Sequence, residues 1–209
     1  MMYRIALSMR ALEAPDTGEA RSALAMDWIH WLEAADMTPV LIPNGLRDPV
    51  SFLEAMTPDL IVLTGGGERG QSAERDQVEE SLFQHAIETS APLLGVCRGL
   101  QVINELAGGN LQVVSGHTAV IHDVHFDPAW HRIYGTHATV NSYHDLGVSA
   151  DALADNFVAA ATDDAGNVEA AYHRTLPIAG VMWHPERGGA PEADRNLFET
   201  LIRDGAFWR

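Results

Sequence analysis

Two kinds of apolar pattern alternate along the first half of the chain. Tyr3–Met9 (YRIALSM) is a short apolar run and predicts a buried strand. Over Ala20–Ala35 the residues Leu24, Trp28, Ile29 and Leu32 recur at helical spacing, which predicts a helix. Thr38–Ile42 reads as a second strand, stopped by Pro43-Asn44-Gly45. Pro49–Met56 reads as a short helix, and Asp59–Leu63 as a strand that runs into three glycines. Ala73–Thr89 is an acidic amphipathic helix with Val78, Leu82, Phe83 and Ala86 on its inner face. Leu93–Val96 is the next strand, and Arg98–Ala107 a helix closed by Gly108-Gly109.

Strands that alternate with helices predict a parallel, doubly wound sheet. The second half changes character. Val113 to Val140 is rich in His and β-branched residues and has no helical period. Phe157–Thr162 and Asn167–Tyr172 flank Asp164-Ala165-Gly166, the pattern of a β-hairpin. Ile178–Trp183 reads as a last strand and Ala193–Arg203 as a closing helix. No repeat, linker or low-complexity run interrupts the chain. The expected architecture is one α/β domain over residues 1–209: a mostly parallel sheet, helices on both faces and an antiparallel C-terminal extension.

At 209 residues and 46% apolar composition, the chain can bury a sizeable core. Its formal charge of -16 opposes binding to nucleic-acid backbones or anionic lipid, and no apolar run is long enough to span a membrane. All 13 basic residues are arginine. Without lysine, Schiff-base chemistry and the Gly-Lys-Ser/Thr phosphate loop are excluded. The lone cysteine, Cys97, excludes an internal disulfide. Met1–Arg10 shows no signal-peptide pattern, so a cytoplasmic protein is expected.

Cys97 stands in Gly95-Val96-Cys97-Arg98-Gly99, at a predicted strand–helix junction. This is the arrangement of a nucleophile elbow with cysteine in the place of serine. A sharp turn holds the nucleophile in a strained conformation, and side chains two positions before and after it would collide with neighbouring elements. The thiol then lies at a helix N-terminus, which favours thiolate, and the Arg98 amide faces the same space as an oxyanion donor. His184-Pro185-Glu186 follows the last predicted strand. Residues two apart in extended chain share a side, so Glu186 reaches back to orient His184 as the base for Cys97. Gly65-Gly66-Gly67, after the third strand, lets backbone approach a ligand closely and present an amide to it.

Together these segments resemble class I glutamine amidotransferases, and more closely their hydrolytic relatives, the γ-glutamyl hydrolase peptidases. Asn141-Ser142-Tyr143-His144, Val168-Glu169-Ala170 and Gly180-Val181-Met182-Trp183-His184-Pro185-Glu186 are similar to γ-glutamyl-aminobutyrate hydrolases. The resemblance covers nearly the whole chain in the family's order. It implies a flavodoxin-like fold and hydrolysis of γ-glutamyl amides through a glutamyl thioester, without a cofactor. Carried over by position, Cys97 is nucleophile, His184 base and later acid, and Glu186 orienter. Gly66 or Gly67, with Arg98, supplies oxyanion amides; Gln101, Asn141, Ser142, Tyr143 and His144 contact the γ-glutamyl group. The short chain, the Ala20–Trp28 helix, the Glu74-Arg75-Asp76 cluster and Gly116-His117…His122 look like a compact branch that includes γ-glutamyl-CDP-amidate hydrolases.

Ten histidines raise the question of a metal site, but His117, His122, His125, His131 and His137 form no recognised ligand spacing, and none is expected. If Val120–Phe126 is a strand, His122 and His125 face opposite sides. Asp163-Asp164 is explained as turn chemistry, and Trp28, Trp31 and Trp130 as core or rim packing. Arg10, Arg75 and Arg187 are candidates for binding a carboxylate or phosphate on the substrate's leaving group. The main alternative is a glutaminase subunit that passes ammonia to a separate synthetase. A third reading, a non-catalytic regulator, fits poorly with an intact Cys97, His184 and Glu186.

Overall fold

The computed structural model describes residues 2–209; Met1, where the expected N-terminal reading and single domain begin, lies outside them. In chain order the elements are β1 (Tyr3–Ser8), β2 (Arg10–Glu13), β3 (Ala20–Ala23), α1 (Met26–Ala34), β4 (Met37–Ile42), α2 (Pro49–Met56), β5 (Leu60–Leu63), α3 (Ala73–Thr89), β6 (Leu93–Val96) and α4 (Arg98–Leu106). The second half contributes β7 (Gln112–Val113), β8 (Thr118–Phe126), α5 (His131–Tyr134), β9 (His137–Tyr143), β10 (Leu146–Ser149), β11 (Phe157–Thr162), β12 (Asn167–His173), β13 (Ile178–Val181) and α6 (Asp194–Asp204).

One sheet runs β4-β1-β5-β6-β13-β12-β11-β8-β9. Its first five strands are parallel neighbours, and from β13 onward every pairing is antiparallel. Counting only the parallel strands, the order is 2-1-3-4-5, the flavodoxin-like winding. The antiparallel extension is as expected, and β10 adds to it by pairing with β12 and β7.

Strand periodicity divides the core into two layers. On one face Ile5, Leu7, Leu60 and Val62 meet Trp28 and Leu32 of α1 and Leu197, Phe198 and Leu201 of α6. On the other, Ala6, Ile61 and Leu63 meet Leu53 of α2, Val78, Leu82, Phe83 and Ala86 of α3, and Leu100 and Ile103 of α4. The burial of both faces explains why the parallel strands read as unbroken apolar runs. Trp28 and Trp130 are core residues, and Trp31 packs against Phe198.

One expected helix is corrected. Ala20–Ala35 is not a single helix: Ala20–Ala23 pairs antiparallel with Arg10–Glu13, and α1 starts only at Met26. The apolar helical spacing itself begins at Leu24; the alanines before it are claimed by a strand partner outside their own segment. By contrast, α3 matches its expected bounds, with the Ser72 side chain accepting from the Arg75 amide and Ser90 turning left-handed at its end.

Candidate active site

The carboxyl ends of β5, β6 and β13 converge, as ligand sites do in open α/β sheets. Cys97 follows β6, and its amide donates to the Val181 carbonyl at the end of β13 (2.8 Å). Its backbone lies at φ 51°, ψ -107°, a conformation that a non-glycine residue holds only under the constraint of its surroundings. The flanking glycines are required by space: a Cβ on Gly95 would lie 2.5 Å from the Gly99 carbonyl carbon. On Gly65 it would lie 2.6 Å from His184 Cε1 and 3.5 Å from Cys97 Cβ, so this one backbone position touches both side chains.

His184 Nδ1 lies 2.7 Å from Glu186 Oε1, with both side chains buried. The carboxylate fixes the proton on Nδ1 and leaves Nε2 free to act as a base. Asn141 brackets the same histidine from β9: its Oδ1 accepts from the His184 amide (2.9 Å) and its Nδ2 donates to the His184 carbonyl (2.9 Å). A cavity of about 170 Å³ is lined by Gly66, Gly67, Cys97, Arg98, Gln101, Tyr143, His144, His184 and Arg187.

Most of the expected site residues therefore meet in one place, with two corrections. Asn141 and Ser142 face inward rather than into the cavity; Asn141 holds His184, and the Ser142 hydroxyl donates to the His117 carbonyl (2.7 Å). Neighbours in a strand point to opposite faces, and β9 is covered on both faces here, so Asn141 and Ser142 are each buried and spent on internal bonds. Gln101 does line the cavity, with its amide anchored on the Leu146 carbonyl (2.7 Å).

Arg75 is the second correction. It binds no cavity anion: it is buried, donates to Glu79 (2.9 Å) and to the Thr64 carbonyl (2.7 Å), and bonds the Gly66 carbonyl. Glu79 also holds Ser8 (2.8 Å) and the Arg98 guanidinium, whose other arm pairs with Asp76 (2.6 Å). Arg75 thus takes up the carbonyls of Thr64, Gly65 and Gly66 along the glycine loop. In a trans peptide N–H and C=O point in opposite directions, so the amides of Gly66 and Gly67 point away from Arg75. The i,i+4 spacing of Arg75 and Glu79 on an amphipathic helix was the available signal for this pair.

Burial pushes the Cys97 thiol up to about 11, outweighing the Arg98 amide, which favours thiolate; the negative charges of Glu186 and Glu169 push in the same direction as burial. The Arg98 amide at the helix terminus favours thiolate, as expected, but desolvation of Cys97 outweighs it and holds the thiol up. Its alkylation by iodoacetamide is therefore expected to be slow at neutral pH. The rate should keep rising about tenfold per pH unit beyond pH 9, as thiolate accumulates below its pKa. A plateau near neutrality in a stopped-time alkylation series would show a resting thiolate instead.

The peptidase C26 family model matches residues 5–186. The chain belongs to the peptidase C26 family. It is thus a glutamine amidotransferase-like hydrolase. It is 32% identical over 170 residues to the glutamine-hydrolyzing GMP synthase subunit of Methanosarcina mazei, covering 79% of this chain and 84% of that one. It is 25% identical over 192 residues to the γ-glutamyl-CDP-amidate hydrolase of Campylobacter jejuni, covering 88% and 90%. In structure it resembles a putative GMP synthase subunit from Thermoplasma acidophilum, with a TM-score of 0.73 and 22% identity over 97% of this chain and 93% of that one. That likeness, like one to the glutaminase domain of Trypanosoma brucei CTPS (TM-score 0.72, 16% identity, 97% of this chain and 94% of that one), concerns the fold. Among the described residues no helix is long and apolar enough to cross a membrane.

Proposed function

We propose that the chain, as a single domain, hydrolyses a γ-glutamyl amide through a thioester on Cys97. The observation that carries this reading is the strained Cys97 turn sharing a cavity with His184, itself bonded to Glu186. His184 takes the thiol proton as sulfur attacks the γ-carbonyl carbon. The amides of Gly66 or Gly67 and Arg98 bind the resulting oxyanion. The C–N bond then breaks, and His184 returns the proton to the departing nitrogen. Water, deprotonated by His184, attacks the thioester, and glutamate leaves with the thiol restored. No cofactor enters this cycle.

Gln101, Tyr143 and His144 form the wall expected to hold the glutamyl group. Arg187 lies over the Tyr143 ring (4.6 Å to its centre) at the same cavity, which suits a substrate with an anionic group beyond the scissile amide. A γ-glutamyl amidate or γ-glutamyl-aminobutyrate meets that description. The second reading, a glutaminase subunit serving a synthetase, is favoured by the 32% identity to the glutamine-hydrolyzing part of a GMP synthase.

Glutamate release by the purified chain alone separates the two. The panel is glutamine, γ-glutamyl-aminobutyrate, γ-glutamyl-CDP-amidate and a folate-like polyglutamate. Rapid release from one conjugate and little from glutamine is the expected result. Slow release from glutamine alone, accelerated by an added synthetase, establishes the subunit reading instead. No release from any of them overturns both.

A further inference from the structure

Behind the Tyr143–His144 wall, four strands and loops bring a second polar cluster together. Glu169 on β12 is fully buried, and neither of its carboxylate oxygens has a hydrogen-bond partner. Three imidazoles face it. His117 Nε2 lies 3.4 Å from Oε1, His144 Nε2 3.7 Å from Oε1, and His122 Nε2 3.7 Å from Oε2. The Nε2 atoms of His122 and His144 are likewise buried and unpartnered. One donor atom from each of His117, His122 and Glu169 falls within 4.8 Å of the others.

The geometry points to a structural divalent-cation site, of zinc type, formed by His117, His122 and Glu169, with His144, whose Nε2 faces the same carboxylate, drawn in as the fourth ligand. The ring orientations carry the argument. Nδ1 of His117, His122 and His144 each faces a backbone carbonyl, those of Ser115 (3.1 Å), Asp123 (3.3 Å) and Leu146 (3.0 Å). A proton on each Nδ1 leaves the Nε2 lone pairs of His122 and His144 unpartnered beside Glu169, while His117 Nε2 lies between Glu169 and Asp163 (3.0 Å). This is the arrangement by which carbonyls orient metal-ligating histidines. Separations of 3.4–3.7 Å are long for N–H···O bonds. They suit ligand atoms around one ion: with bonds of about 2.0–2.1 Å, the edge of a tetrahedral site is about 3.4 Å.

Charge gives the same answer. The one further acid at the cluster is Asp163, whose Oδ2 lies 3.0 Å from His117 Nε2 and which Asn167 already supplies with two donors. Without a cation, the cluster sets the buried carboxylates of Glu169 and Asp163 on either side of His117 with only imidazoles to face them. A divalent ion with three neutral rings and the same two carboxylates balances to zero. Three imidazole nitrogens and a carboxylate are a borderline-soft set that zinc accepts.

With its donors already all from protein, the site is a brace rather than a second reaction centre. It ties β12 to β8 and to the end of β9, fixing His144 and Tyr143 in the wall of the cavity. An ion there also offsets the Glu169 charge that acts on Cys97. The inference does not rest on the reaction proposed above. Sequence spacing gave no sign of it, because the donors come from separate elements that only the fold unites.

The test is metal content and titration of the full chain after chelation, with Zn²⁺ and Co²⁺ as probes. We expect one ion per chain, a higher melting temperature in the loaded form, and an intense visible tetrahedral Co²⁺ spectrum without thiolate charge transfer. His122→Ala and Glu169→Gln should each weaken binding at least about tenfold. Cys97→Ala and His125→Ala should leave it unchanged, since His125 points away to Asp164 (3.0 Å). Wild-type protein that takes up neither ion at near-equal concentrations overturns the site, and this result needs no variant to fold. Binding abolished by Cys97→Ala, or untouched by His122→Ala in a variant with native circular dichroism, overturns it equally.

Discussion

Cys97→Ala is expected to lower Cys97-dependent glutamate release by about 10⁴-fold or more, leaving only what bound amides and water achieve without a nucleophile. The size follows from the site's economy. Among the described residues no other thiol exists to substitute, and every proton that His184, oriented by Glu186, moves in the proposed cycle serves the making or the breaking of the bond to that sulfur. The fold should survive, since alanine fills a subset of the volume of a buried cysteine. A companion variant isolates the strain. At φ 51°, ψ -107° any Cβ is unfavourable, at a cost on the order of 1–3 kcal/mol. Cys97→Gly should therefore be as inactive as Cys97→Ala but melt at a higher temperature. Activity retained in Cys97→Ala would mean that the chain does not use a thioester; a lower melting temperature for Cys97→Gly would mean that the elbow stores no strain.

The contrast between thiol and base has a consequence for the resting enzyme. Burial pushes the Cys97 thiol up, so in the proposed cycle the reactive sulfur is generated only as His184 withdraws its proton in the presence of substrate. A buried thiol that ionises on demand is protected from oxidation between turnovers, because thiolate is the form that oxidants attack. The same carboxylate that orients His184 contributes to holding the thiol up, so Glu186 serves both the idle and the working state.

What could be read from the sequence was what is local in it. The parallel strands announced themselves because β1, β5 and β6 are covered on both faces, so that nearly every position along them is apolar. The elbow was legible because its two glycines and its cysteine fall within five consecutive positions, and the orienting pair because His184 and Glu186 are two apart. The structure's other contributions are contacts between distant segments. Asn141 grips His184 across 43 positions of chain, and Ala20–Ala23 becomes a strand only because Arg10–Glu13 is there to pair with it. His117, His122, His144 and Glu169 meet through the register of β8 with β9 and the path of β12, none of which spacing in one segment encodes. Arg75 is the instructive middle case. Its residue type suggested an anion site, but an arginine on the inner face of α3 had to be matched by a buried acid, and Glu79 one turn on is that acid.

Gly99→Ala is expected to be the most damaging single-methyl change in the chain. A Cβ at Gly99 would be driven into the carbonyl oxygen of Leu63 and stand 2.8 Å from its carbonyl carbon. Both are backbone atoms of β5, in the middle of the parallel sheet, so no side chain can rotate out of the way. Relief requires α4 to lift off the sheet, and α4 buries Leu100, Val102 and Ile103 against it. Overpacking of this kind costs about 3 kcal/mol or more, which for a domain of this size lowers the melting temperature by about 6–12 °C. Gly188→Ala is the matched control: its Cβ would meet nothing within 4 Å and its backbone is not left-handed, so it should melt within about 2 °C of wild type. Because α4 begins at Arg98, any lifting also swings the Arg98 amide and the Cys97 turn, and the surviving folded fraction of Gly99→Ala should lose glutamate release as well as stability. Loss of stability with full activity would mean that the helix yields at its far end; no loss of either would mean that α4 stands further from β5 than the elbow requires.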